Sequence, residues 1–207
     1  TACFARKVFT MMRLLPPVRC PFRIESLALV SLLCLTAAQT PAVAYTWTVG
    51  GDGTSWGDDG NWSPTGVPGT GHLAEFEDGD NPTLTMSSDV DVGSLYIGDL
   101  TTGSSSVTFD NADARVLNVG HLRVGMGWDT GTALANGTLT IESGTTINLT
   151  GARLYHGCFR NARGYLYLEG GTLNCGTPAA WADAVRLGYK WSSAGQKAPK
   201  GYMYLNS

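Results

Sequence analysis

The sequence predicts an all-β chain wound as a parallel β-solenoid, a β-helix-like stack of about four rungs behind an N-terminal cap. Three observations point there: an abundance of glycine with a sharp boundary, strings of residues that alternate in polarity, and a repeat of roughly thirty residues. All 27 glycines of the 207-residue chain lie at or after Gly50. Within residues 45–207 glycine is therefore about 17%, against roughly 7% in average proteins. Glycine costs about 0.8–1.0 kcal/mol relative to alanine inside a helix, so a helical fold is excluded. Glycine does not recur every third residue, which excludes collagen. The alternating Val, Ile, Leu, Tyr and Phe strings argue against disorder.

The first segment has a different character. Residues 1–10 precede the tandem Met11-Met12 and read as an over-extended frame. Residues 11–44 read as a signal peptide: Arg13, Arg19 and Arg23 precede the apolar run Leu27–Ala38, and Ala42-Val43-Ala44 supplies the small-residue site, with cleavage expected after Ala44. The apolar run is shorter than the roughly 20 residues a bilayer span needs, so no transmembrane segment is expected in the mature region. A secreted or cell-surface protein follows from this reading. Cys158 and Cys175 are the two cysteines left after cleavage. An oxidising destination makes them a candidate disulfide, although their spacing alone does not place them within bridging distance.

Residues 45–91 form a Trp-rich acidic leading segment. Trp47, Trp56 and Trp62 precede the first repeat and are expected to cover the open end of the stack, where an apolar core and unpaired strands would otherwise meet water. Between Tyr45 and Ala114 there are twelve acidic residues and no Lys or Arg. That distribution excludes nucleic-acid binding as a main role, which needs a basic face. The run Glu75-Phe76-Glu77-Asp78-Gly79-Asp80-Asn81 lacks the spacing of an EF-hand loop and reads as an exposed acidic turn.

Residues 92–207 carry the repeat. Four strings close on glycine: Ser94–Gly98, His121–Gly125, Arg153–Gly157 and Ala184–Gly188. Each is followed by a second string: Ser105–Asp110, Gly137–Glu142, Gly164–Glu169 and Gly201–Asn206. Stacking them aligns apolar columns: Leu95, Leu122, Leu154 and Val185; then Val107, Leu139, Leu166 and Met203; then Phe109, Ile141, Leu168 and Leu205. Residues between these columns are polar or amphipathic, so one face of each strand is buried and the other wet. The strings Thr145–Leu149 and Thr172–Asn174 supply further strands. The alternative architecture, a β-sandwich, would also alternate, but it does not require equivalent columns across successive units. The chain stops inside a repeat, at Leu205-Asn206-Ser207, and reads as a truncated piece of a longer protein.

The segment Thr46-Trp47-Thr48-Val49-Gly50-Gly51-Asp52-Gly53, with Trp56, Asn61-Trp62, Gly66-Val67-Pro68, Ala74-Glu75-Phe76 and Val92–Gly98, resembles the leading segment of bacterial exported β-solenoid proteins. These are the autotransporter-associated repeat proteins and similar secreted proteins with a PEP-CTERM sorting tail. Gly137-Thr138-Leu139-Thr140-Ile141 and the following Ser143-Gly144-Thr145 resemble their repeats. The resemblance implies a surface or matrix protein and carries over no catalytic residue.

Four sets of candidate site residues follow from the alignment. Tyr96, Arg123, Tyr155 and Arg186 form an outward column in which rings alternate with guanidinium groups, each junction suited to a cation–π contact. Tyr165, Tyr167, Tyr202 and Tyr204 form a second aromatic cluster. Trp128 and Trp191 stand three residues after a rung glycine and are candidate loop-tip aromatics. Flat rings on a rigid face suit a sugar or a protein partner, although tyrosine also simply suits the exposed side of a strand. Asp110, Glu142 and Glu169 share one position and are candidate Ca²⁺ ligands, the plainer reading being a solvated corner. No other cofactor is implied.

The histidines form no catalytic set. His121 is outward, His72 lies in a turn, and His156, aligned with Ile97, Val124 and Leu187, is expected to be half-buried with a hydrogen-bond partner. There is neither a nucleophile elbow nor a phosphate loop. The sequence therefore predicts a non-enzymatic exported scaffold, structural or adhesive, that displays outward Tyr, Arg and Thr columns to a polysaccharide or a cell-surface or matrix protein. The alternative is a polysaccharide-binding or polysaccharide-degrading β-helix.

Overall fold

The computed structural model describes residues 42–77, 79–99, 103–127, 135–159, 162–175, 185–187 and 200–206. Residues 1–41 of the leader region, Trp128, Trp191 and Gly188 lie outside the described residues, while Ala44, the last residue of the expected leader, already belongs to the first strand. The chain is all-β, a parallel β-solenoid of about four turns. It opens with β1 (Ala44–Trp47), a 3₁₀ turn (Asp59–Asn61) and β2 (Trp62–Ser63), followed by β3 (Leu73–Phe76) and β4 (Thr83–Leu84). The successive turns are then β5 (Val90–Asp99) with β6 (Gly103–Phe109), β7 (Arg115–Gly127) with β8 (Ala135–Glu142), and β9 (Thr145–Phe159) with β10 (Arg163–Glu169). Last come β11 (Thr172–Cys175), β12 (Val185–Leu187) and β13 (Lys200–Asn206).

Two sheets run along the stack. One has the order β11-β9-β7-β5-β3-β1-β2, with β12 also beside β9, and the other has the order β13-β10-β8-β6-β4. Among the described residues every pairing between strands is parallel except β1 with β2, apart from one isolated antiparallel bridge between Glu142 and Gly170. A sandwich of hairpins would be antiparallel, so that alternative is excluded. The aligned columns are true registers: Leu95 stands opposite Leu122, Leu122 opposite Leu154, and Leu154 opposite Val185. Likewise Val107, Leu139, Leu166 and Met203 follow one another, as do Phe109, Ile141, Leu168 and Leu205.

These columns make the core from β3 to β10, whereas Met203 and Leu205 on β13, the last strand of its sheet, are exposed. Leu95, Ile97, Val107, Phe109, Leu117, Leu122, Val124, Leu139, Ile141 and Ile147 are fully buried. Each such side chain contributes about 1.5–3 kcal/mol relative to exposure. A rung of this length cannot enclose its own apolar face, so the neighbours above and below provide the burial.

Glycine sets the corners. β5, β7 and β9 are long because each runs through a corner at Gly93, Gly120 and Gly151. A Cβ at Gly120 would lie 2.5 Å from the carbonyl oxygen of Gly93, and one at Gly151 would overlap that of Gly120. At the far end of the same strands Gly98, Gly125 and Gly157 have φ of 62°, 62° and 57°, where side chains are strained, and each presses on the start of a strand in the other sheet.

The leading segment caps the stack and also joins it. Trp47, Trp56 and Trp62 are buried and meet edge to face, Trp62 lying 5.0 Å from each of the others by ring centroids. Trp56 reaches Phe109 and Trp47 reaches Phe76, so the cluster plugs the end of the apolar columns. β3 and β4 continue the two sheets in register with β5 and β6, a part-turn that the sequence did not reveal. The loop between β1 and β2 closes around buried Asn61. Its Oδ1 accepts from Gly51 and Gly53 N–H, and its Nδ2 donates to Asp52 Oδ1 at 2.8 Å. Asp52 also accepts from the Ser55 hydroxyl and from the Ser55 and Thr54 N–H groups, which hold its carboxyl well below the usual carboxylate range.

Candidate functional site

Parallel stacking repeats each outward side chain about every 4.8 Å along the axis, so the candidate sites are ladders. On the sheet of β5, β7, β9 and β12, Tyr96, Arg123, Tyr155 and Arg186 follow one another in register. The Arg123 guanidinium carbon lies 4.1 Å from the Tyr96 ring centroid, a cation–π contact. His121 wedges between the two tyrosines of this column, with ring centroids 5.7 Å from Tyr96 and 5.3 Å from Tyr155. Arg123 Nε donates to His121 Nε2 at 3.5 Å. Burial first, then the charges of Arg123 and Arg153, lower the His121 pKa to about 4, so it is neutral at pH 7.

This column is less open than alternation implies. Tyr155 is only 9% exposed and packs with Met126 and Cys158. The reason is local: Gly125 and Gly157 have positive φ, which breaks strict alternation and brings the next residue back to the tyrosine's side.

The second aromatic cluster lies on the other sheet. Tyr165 stacks on Tyr202 and Tyr167 on Tyr204, with centroid separations of 5.1 and 4.7 Å and interplanar angles of 8° in both pairs. β10 and β13 place them in register, while Thr138 and Thr140 of β8 precede them in the two columns. The ring faces are turned toward each other along the axis, and the sides present ring edges. Each ring thus has one face covered by its partner. Burial, then Tyr204, Tyr165 and Glu169, raise the pKa of the Tyr167 phenol, which stays protonated at pH 7.

The carboxylate column lies in register along the second sheet. Glu142 faces Glu169 and Glu169 faces Asn206, while Asp110 lies just past the end of β6. Asn206 Nδ2 donates to Glu169 Oε1 at 3.5 Å, and among the described residues no three His, Cys, Asp or Glu side chains converge to hold a metal. Ca²⁺ needs six to eight oxygens, which one column of carboxylates on successive strands does not supply. In the acidic run, Glu77 N–H donates to Asp80 Oδ2 at 2.8 Å in a turn at Gly79, but Glu75 belongs to β3 and is buried.

The candidate disulfide is not formed. No bond joins the two: Cys158 is buried opposite Met126, and Cys175 is exposed opposite Leu149, nine residues back along β9. His156 also departs from expectation. It is fully buried, in register with Val124 and Leu187, and among the described residues neither ring nitrogen has a hydrogen-bond partner of good geometry. Burial lowers its pKa, the Gly164 backbone beside the ring opposing this in part.

A polar ladder on the first half of the long strands went unseen in the sequence. Asn118 Nδ2 donates to Asp91 Oδ1 at 2.7 Å, Asn148 to Asn118 Oδ1 at 3.0 Å, and Asn174 to Asn148 Oδ1 at 2.9 Å. Its signal is a polar residue between two apolar ones: Val90-Asp91-Val92, Leu117-Asn118-Val119, Ile147-Asn148-Leu149 and Leu173-Asn174-Cys175. A second network is internal. Asn111 accepts from Met86 N–H and donates to Thr145 Oγ1, both at 2.7 Å, and so ties successive turns together at a buried corner.

Compared with protein-family models, with curated proteins and with solved structures, the chain matches none.

Proposed function

We propose that the chain is an exported, non-enzymatic scaffold of a cell surface or extracellular matrix, presenting repeated ladders of polar and aromatic side chains to a partner. The observation that carries this reading is register: Tyr96–Arg123–Tyr155, Asp91–Asn118–Asn148–Asn174 and the paired tyrosines each repeat on successive strands. A rigid array of this kind suits a partner that itself repeats, such as a polysaccharide or a second surface protein. The leader pattern through Ala44 and the resemblance to exported solenoid proteins support the destination. With one face of each paired ring covered by its partner, display by hydroxyls, amides and guanidinium groups adds to what the remaining ring faces offer a sugar.

Binding of the purified protein to a panel of polysaccharides and to cell-envelope fractions tests this reading. Display predicts saturable binding to one of them that weakens when Tyr165, Tyr167, Tyr202 and Tyr204 are all changed to Ala. Binding that is unchanged by those substitutions removes the tyrosines from the account. Turnover of a glycan that is lost in Glu142→Gln or Glu169→Gln would replace the scaffold with an enzyme.

A further inference from the structure

The tyrosines of β10 and β13 differ from the others in what stands next to them. Tyr45 pairs with Ala74, Tyr96 with Glu75 and Arg123, and Tyr155 with Arg123 and Arg186. Among the described residues only Tyr165 with Tyr202 and Tyr167 with Tyr204 place phenol on phenol. The two rings of each pair are nearly parallel, and both backbones are fixed by the same run of parallel pairing, from Arg163↔Lys200 to Glu169↔Asn206. Identical side chains in register set like atoms over like atoms, so each ortho carbon has its counterpart across the pair. The rings are not sealed in the core: Tyr165, Tyr167 and Tyr202 are partly exposed and Tyr204 is 41% exposed.

We propose that Tyr165–Tyr202 and Tyr167–Tyr204 are sites of oxidative coupling to dityrosine, which would staple β10 to β13 covalently. The co-reactants are hydrogen peroxide and a haem peroxidase. Each phenol loses one electron and one proton to become a phenoxyl radical. The two radicals join by one carbon–carbon bond between ortho carbons. The two displaced ring hydrogens then move to the phenoxyl oxygens, which restores both hydroxyls. Two hydrogens leave the pair in total, and one peroxide is reduced to two waters. Holding the partners in place makes the radical coupling intramolecular, so it outruns encounters between separate molecules in dilute solution. This inference rests on strand register and does not depend on what the outward faces bind.

The test treats the full chain, dilute and folded, with peroxidase and peroxide, isolates the monomer, reduces it and digests it with trypsin. The expected product joins the peptide Gly164–Arg186 to Gly201–Ser207 at a mass two hydrogens below their sum for each bond, with the characteristic blue dityrosine fluorescence. The double variant Tyr202→Phe/Tyr204→Phe should lose both, whereas Tyr165→Phe should keep the Tyr167–Tyr204 bond and Tyr96→Phe should change nothing. Circular dichroism matched to the parent shows that each variant is folded. The proposal is overturned if the monomer contains no joined peptide while free tyrosine couples in the same mixture. It is equally overturned if dityrosine forms only between molecules, or as readily at Tyr45, Tyr96 or Tyr155.

Discussion

Asn148 Nδ2 donates to Asn118 Oδ1 at 3.0 Å, and Asn148 Oδ1 in turn accepts from Asn174, so one amide side chain joins three successive turns. Asn118 and Asn148 each use one donor and one acceptor along the axis, Asn174 donates at one end, and Asp91 ends the ladder with a carboxylate. Replacing Asn148 with Ala removes two hydrogen bonds from a half-exposed position, at roughly 0.5–1.5 kcal/mol each. Urea unfolding should show a loss of about 1–3 kcal/mol for Asn148→Ala. Asn174→Ala, at the end of the ladder, should lose about half as much.

Glycine positions separate crowding from strain. Gly125 has φ of 62° and a Cβ there would overlap the Arg163 carbonyl, whereas Gly79 has φ of 88° and open space around it. Gly125→Ala should therefore destabilise the protein severely or prevent folding, while Gly79→Ala should cost only the backbone penalty of roughly 1–2 kcal/mol. Comparable losses in the two variants would contradict the close contact between sheets.

Two imidazoles make the fold sensitive to acid. The folded-state pKa of His121 is lowered to about 4 and that of His156 also lies below its ordinary 6.5. The unfolded chain then binds more protons than the folded one as pH falls below about 6.5, so stability present above that pH drains away toward pH 4. Asp52, also lowered, adds to the loss only near and below its ordinary value of 3.8. His156→Leu, which continues the column of Val124 and Leu187, should flatten the decline between pH 6.5 and 4.5 measured by urea midpoints. An unchanged slope would show that His156 is not the group responsible.

Trp56 is 1% exposed, packs on Trp62 and Phe109, and receives the Trp62 Nε1–H on its carbonyl. Trp56→Ala should open a cavity at the capped end and cost about 3–5 kcal/mol in thermal or urea unfolding.

The thiols give an independent check. Cys175 is exposed and Cys158 buried, and no disulfide joins them. A thiol reagent should modify Cys175 in the folded protein and Cys158 only after unfolding, and a reducing agent should leave the melting temperature unchanged. A melting temperature that falls on reduction would contradict the absence of a bond between Cys158 and Cys175.

The apolar columns were legible because burial imposes a period of two within strands and glycine marks their ends. Leu95, Leu122 and Leu154 could thus be aligned by eye. The Asn ladder was not legible, because alignment on Gly125 and Gly157 crosses the irregularity between Val119 and His121, where β9 has two extra residues. β3 was hidden for another reason: Glu75 reads as the start of an acidic turn, and only its place beside Tyr96 shows it to be strand. Of the candidate site residues, the register of the tyrosines followed from the repeat. The cover over Tyr155 did not, since it depends on the positive φ of Gly157, which composition does not encode.

Repeated display stands on parallel, in-register stacking, and backbone proton distances in the labelled protein test that most directly. Nuclear Overhauser spectra should show cross-strand contacts between amide and Hα protons that link the strands of Thr140, Tyr167 and Tyr204 in that order, without strong Hα–Hα contacts between them. Strong Hα–Hα contacts joining the strands of Thr140 and Tyr167 would mean antiparallel neighbours and would contradict the solenoid and the ladders built on it.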